Sequence, residues 1–219
     1  MSDPRAAVLG RLSQVLGHQA SADAAAVAQR IGDPERGPQP QWDESLEQRF
    51  LAKLTKVAGS HARATSNAEL VGAVAAYLEK QNLARNLCVA PHPLLAGVEW
   101  PEDWQVVHGR TQGDDRVGMS VAFCSIAETG SLMLLSGPES PTTLNFLPDD
   151  FLCLLPESRI VPRLEDAWAL LRAERGSLPR ATNIITGPSR TADVEQTIQL
   201  DAHGPRRLHV LLWGTAPQG

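Results

Sequence analysis

Three observations predict an α/β fold preceded by a helical N-terminal region. From about residue 82 onward, short apolar runs alternate with polar, helix-spaced segments. Before that point the apolar residues recur at three- and four-residue steps, the period of one helix face. The later runs are also continuous rather than alternating, as strands covered on both faces of a mostly parallel sheet require.

Taken in order, the first 30 residues are Ala-rich with scattered Val and Leu and predict one or two helices. Gly32–Gln41 (GDPERGPQPQ) is dense in Pro and Gly and predicts a flexible connector. Between Trp42 and Val57, Leu46, Phe50, Leu54 and Val57 form one apolar stripe. Ser66-Asn67-Ala68-Glu69 matches a capping box, and the helix it opens buries Leu70, Val74, Tyr77 and Leu78. The strands expected next are LCVAP, WQVVHG, VAFCSIA, SLMLLS, FLCLLP, NIITG and RLHVLLWG. Pro162–Glu174 has helical spacing at Leu164, Trp168 and Leu171, and Arg190–Gln199 reads as a further helix opening. Between two apolar runs, Glu128-Thr129-Gly130 predicts a tight hairpin-like turn or a bulge. The chain thus divides into a helical region, 1–80, with its connector at 32–41, and an α/β domain, 81–219.

Composition narrows the function. With 20 Lys plus Arg against 25 Asp plus Glu, the net charge is −5 and no dense basic run stands out, which argues against sequence-independent nucleic-acid binding. The start, MSDPRAAVLGRLSQVLG, lacks a basic segment leading into an apolar one, and no apolar run approaches the roughly 20 residues of a membrane span, so a cytoplasmic protein is expected. Cys88, Cys124 and Cys153 are far apart in apolar surroundings and read as buried hydrophobes. No Cys-x-x-Cys occurs, so this chain is expected to hold no iron–sulfur cluster. The histidines show no ligand spacing and predict no metal site. Dinucleotide, P-loop and serine-hydrolase signatures are missing from the sequence.

Chemistry concentrates in three places. In ITGPSRTADVE, Asn183–Thr186 reads as a strand end, Gly187 allows a turn and Pro188 stiffens it. Ser189 or Thr191 would cap the following helix, whose start together with Arg190 makes an anion site for phosphate or carboxylate. The same residues, with Asp193 and Glu195 in the first turn, equally describe ordinary helix capping without a ligand. Glu128, bracketed by apolar runs, reads either as a partly desolvated acid–base or nucleophilic carboxylate or as an acceptor in a turn. His203-Gly204-Pro205-Arg206-Arg207 reads as a turn orienting an acidic ligand or as an inert surface loop.

Taken together, IAETGSLML, ITGPSRTADVE and HGPRRLHVLLW resemble, in order and spacing, the LUD-domain family, and within it the short members called lactate utilization protein C. The resemblance covers about residues 117–213. It implies a Rossmann-like sheet similar to the group of NagB, ribose-5-phosphate isomerase and CoA-transferases. It also implies a part in oxidising L-lactate to pyruvate, beside lactate utilization proteins A and B, which carry the iron–sulfur clusters. The family pattern points to Glu128, Thr129 and Gly130, then to Thr186, Gly187, Ser189, Arg190, Thr191 and Asp193, and finally to His203, Gly204 and Pro205. Ser131 replaces the family's frequent Thr and keeps the hydroxyl, whereas the stretch from Ser136 to Phe151 is richer in proline than the pattern.

Glu128 and Arg190 are therefore the candidate catalytic residues, and the others form a candidate site for a small anionic ligand. Two functions follow. One is an accessory or regulatory component of an iron–sulfur L-lactate-oxidising system, docking through its helical N-terminal third. The alternative is a stand-alone enzyme using Glu128 on an acyl-thioester or a phosphorylated small molecule, as CoA-transferase-like folds allow.

Overall fold

A computed structural model of the chain describes residues 4–16, 29, 36–111, 113–191, 199–200 and 204–214. It falls into two units, Met1–Trp42 and Asp43–Gly219. In the first, helix α1 spans Pro4–Leu16. Residues 36–40 of the expected connector have no regular structure, and 32–35 lie outside the described residues.

The second unit opens with α2 (Leu46–Lys56), held at its start by a capping box between Ser45 and Gln48 that its apolar stripe does not announce. The Gln48 N–H donates to Ser45 Oγ at 3.2 Å and the Ser45 N–H to Gln48 Oε1 at 3.1 Å. Strand β1 (Ser60–Ala64) follows, then α3 (Asn67–Lys80). Ser66 caps α3 as expected, but Glu69 reaches back to the Thr65 N–H and hydroxyl, both at 2.8 Å, instead of to Ser66. After β2 (Asn86–Val89) come the short α4 (Pro93–Ala96), β3 (Gln105–His108) and β4 (Val117–Val121). Next are β5 (Cys124–Ile126), β6 (Ser131–Leu135), β7 (Asp150–Pro156), β8 (Ile160–Val161) and α5 (Leu164–Arg175). The described chain closes with β9 (Thr182–Ile185), β10 (Arg190–Thr191), β11 (Gln199–Leu200) and β12 (Arg207–Trp213).

Six strands form one parallel sheet in the order β1-β12-β7-β4-β2-β3. The continuous apolar runs have the reason the sequence suggested. Along β7, Leu152 and Leu154 pack into a core shared with α3, while Phe151, Cys153 and Leu155 pack into a second core with Phe50 and Leu54 of α2. A four-stranded mixed sheet, β8-β5-β6-β9, adds Leu132 and Leu134 to that second core. Its other face buries Cys124, Ile126 and Met133 under Ala167 and Leu171 of α5.

Three expectations change. VAFCSIA is two strands, because the chain changes sheets at Ala122-Phe123: the Ala122 N–H donates to Leu154 of the parallel sheet and the Phe123 N–H to Met133 of the mixed one. The sheet does not begin after residue 80. Ser60–Ala64 (SHARA), too polar to stand out as a run, pairs in parallel along β12 and forms the sheet edge. With it, α2 and α3 belong to the unit that starts at Asp43, so the expected boundary at 80/81 moves to 42/43. Finally, Arg190–Thr191 is not a helix opening but a strand, antiparallel to Gln199–Leu200.

Candidate functional site

The three motif blocks are brought together. Gly130 closes the β5–β6 hairpin at φ +73°, its N–H donating to the Ile126 carbonyl at 2.9 Å. The turn lies so close to α2 that a Cβ on Gly130 would come within 2.7 Å of the Leu54 nitrogen. Gly187, at φ +78°, meets the end of the same helix, where a Cβ would be 2.7 Å from the Val57 carbonyl oxygen. Across this seam runs a chain of hydroxyls. Thr129 Oγ1 and Ser131 Oγ are 2.7 Å apart, and Ser131 Oγ and Thr186 Oγ1 are 2.6 Å apart. Ser131 is buried in the middle of the chain, with Thr129 and Thr186 exposed at its ends. The third block joins through the Ser189 N–H, which donates to the Pro205 carbonyl at 2.8 Å, and through Gly204, packed against the Ser189 side chain.

The helix start expected to hold an anion does not begin at Arg190. Arg190 and Thr191 run as β10 and the Ser189 N–H is spent on Pro205, while residues 192–198, where a helix capped by Thr191 would run, lie outside the described residues. The strand before it, β9, also belongs to the mixed sheet, antiparallel to β6, and not to the parallel sheet whose strand ends carry ligand crevices. Asp193 and His203 lie outside the described residues. Glu128 is half-buried, and its N–H donates to the Pro162 carbonyl at 3.0 Å. Its carboxylate has no hydrogen-bond partner among the described residues. Arg207 is fully committed: Nε and one Nη donate to Asp150 at 2.5 and 2.7 Å, and the Tyr77 hydroxyl donates to the same carboxylate at 2.6 Å.

A cavity of about 530 Å³ opens elsewhere. In the parallel sheet the chain leaves β2 outward to β3 and returns to place β4 on the other side of β2, so the strand order reverses between β2 and β4. Ligands of open α/β sheets bind outside the carboxyl ends of strands at such a reversal. The cavity is there, lined by His92 just after β2 and by Val121 to Phe123 at the end of β4. Its other walls come from Ser136–Ser140, from Arg159 and from the segment Arg175–Pro179. None of the described motif residues lines it. The one sequence signal that touches it is the proline-rich departure at Ser136–Phe151, whose first five residues form a wall.

A parallel sheet covered on both faces, with a mixed sheet packed across one of them, defines a mixed α/β protein with a crevice at its strand reversal. The LUD domain matches residues 47–213, and the chain belongs to the LUD-domain family. It is 29% identical to lactate utilization protein C of Geobacillus thermodenitrificans over 83% of this chain and 90% of that one. It is 31% identical to lactate utilization protein C of Geobacillus kaustophilus, over 81% and 85% of the two chains. A DUF162 family protein from Deinococcus radiodurans shares the fold, with a TM-score of 0.56 at 22% identity over 80% of this chain and all of that one, 100%.

Proposed function

We propose that this chain serves in lactate utilization, as a non-redox component of an iron–sulfur system that oxidises L-lactate to pyruvate with the clusters held on partner chains. The lactate utilization proteins C to which it is similar span most of both sequences, which supports the first part. The cysteines carry the second. Cys88, Cys124 and Cys153 lie in β2, β5 and β7, each in a different hydrophobic core, so their sulfurs do not converge. Burial pushes the Cys88 thiol up to about 11 and the Cys124 thiol up to about 12, and raises Cys153 as well. A cluster ligand must be a thiolate, which these surroundings disfavour. Helix α1 supports a role in assembly, leaving Val8, Leu12 and Val15 exposed at 60%, 50% and 79% on one stripe.

A second reading, an enzyme acting through Glu128, draws on that residue's partial burial and its position in the sequence next to Thr129 of the hydroxyl chain. Lactate-dependent dye reduction, in extract from a strain lacking this chain, separates the two. Restoration by wild type and by Glu128→Gln alike is expected. Restoration by folded wild type alone would transfer the function to the carboxylate. If deletion leaves lactate oxidation unchanged, the lactate reading is lost.

A further inference from the structure

The cavity between β2 and β4 is separate from the motif seam, and its walls specify a ligand. Its volume, about 530 Å³, is within the ~300–1,000 Å³ of sites for drug-sized ligands, so a molecule as small as lactate would leave most of it unfilled. Val121, Ala122, Phe123, Leu135 and Pro156 give one part of the wall an apolar surface, and polar groups such as Ser136, Ser140 and Ser177 also line it. At its margin Leu94 and Leu178 are 39% and 67% exposed, apolar surface left to solvent around an opening.

The charges select further. Arg159 is held by Glu174 through two bonds of 2.5 and 2.9 Å and lies over the Phe123 ring at 5.1 Å, so its guanidinium is already neutralised. Arg175 has no ion-pair partner among the described residues. It is the one uncommitted guanidinium in the lining, and its fork suits a carboxylate. Glu139, also in the lining, sets a negative charge against any second anionic group, which disfavours a phosphate dianion. His92 adds a neutral donor. Its Nδ1 accepts the Leu94 N–H at 3.2 Å, which leaves the proton on Nε2, and burial holds the ring below its usual value. A neutral N–H matches a keto or hydroxyl oxygen better than a charge.

We infer that this cavity binds a monocarboxylate with an apolar, aromatic-sized body and a 2-oxo or 2-hydroxy oxygen, its carboxylate on Arg175 and its second oxygen on His92. The inference does not rest on the lactate-utilization reading, since it concerns what the purified full-length chain binds.

Isothermal titration with phenylpyruvate as the probe tests it. Saturable binding is expected, with 3-phenylpropionate (no second oxygen) and L-lactate (no aromatic body) each weaker by about tenfold or more. Arg175→Gln should weaken phenylpyruvate by at least about tenfold, Arg175→Lys by less, and Arg172→Gln, outside the lining on the same helix, not at all. Arg175 is an exposed last residue of α5, so helix content by circular dichroism should be unchanged. Ser177→Trp, which narrows the opening from a loop, provides a second variant expected to abolish binding. The inference is overturned if wild type shows no saturable phenylpyruvate binding, if L-lactate binds as tightly, if inorganic phosphate displaces the probe, or if both Arg175→Gln and Ser177→Trp bind like wild type.

Discussion

Gly130 and Gly187 show what the motif glycines are for. Each combines a positive φ with a backbone neighbour closer than a Cβ allows, and both neighbours belong to the last turn or end of α2. Replacing either forces a left-handed conformation on a residue with a Cβ and pushes a methyl into main chain, which has no rotamer to yield. Gly176 is the internal contrast. It ends α5 at φ +62° with nothing within 4 Å, so alanine there meets only the conformational cost. Gly130→Ala should therefore cost about 3 kcal/mol, from strain and overpacking together, and Gly176→Ala about 1 kcal/mol. Urea denaturation of the two variants compares them directly, and equal losses would mean that the seam against α2 relaxes freely. The turn at Gly130 was legible in the sequence because a glycine between two apolar runs is a local signal. The contact with α2 was not, since nothing near Gly130 in the chain names Leu54 as its neighbour.

Among elements, strand runs were the easiest to read and their partners the hardest. FLCLLP and RLHVLLWG are apolar on both faces and became adjacent central strands. SHARA buries only its last residue fully, as an edge strand, and left no periodic trace. The helix expected from Arg190 does not start there, because capping-type residues say nothing of the long-range pairing of 190–191 with 199–200. Polar side chains lock the central elements together. Asp150 of β7, fully buried, holds Arg207 of β12 and Tyr77 of α3, while His209 stacks on Tyr77 at 4.4 Å and shares a 2.8 Å hydrogen bond with Ser60 of β1. Burial, helped by His61 and Lys80, pushes His209 down to about 4. A histidine lowered by folding binds its proton more readily when unfolded, so its contribution is complete above the usual value near 6.5 and is lost as pH falls from there toward 4. Wild type should lose on the order of 3 kcal/mol more stability between pH 7 and pH 4 than His209→Gln does. Parallel pH dependence in the two proteins would show that His209 accepts its proton in the folded state at little cost.

At the scale of the whole molecule, the fold class followed from pattern, whereas the cavity could not. Its walls come from five segments between His92 and Pro179, and only the strand order makes them neighbours. The rule that ligands bind at strand reversals needs that order, and the strand before Gly187, β9, lies in the mixed sheet instead. The same order of strands settles how much of the chain the fold needs. Every buried apolar side chain among the described residues is at or after Phe50, all three hydrophobic cores are built from that point on, and the LUD match begins at residue 47. The capping box at Ser45 is also retained by a cut after Trp42. A chain of residues 43–219 keeps all of those buried side chains, so it should unfold in one cooperative transition, within about 1 kcal/mol of the full chain. Denaturant unfolding followed by tryptophan fluorescence and by circular dichroism measures this. Non-coincident transitions, or a loss well beyond that figure, would mean that residues 1–42 contribute to the stability of the α/β unit. If the shortened chain is stable and still fails to restore lactate-dependent dye reduction, the first 42 residues are needed for function but not for folding, as the exposed stripe on α1 leads one to expect.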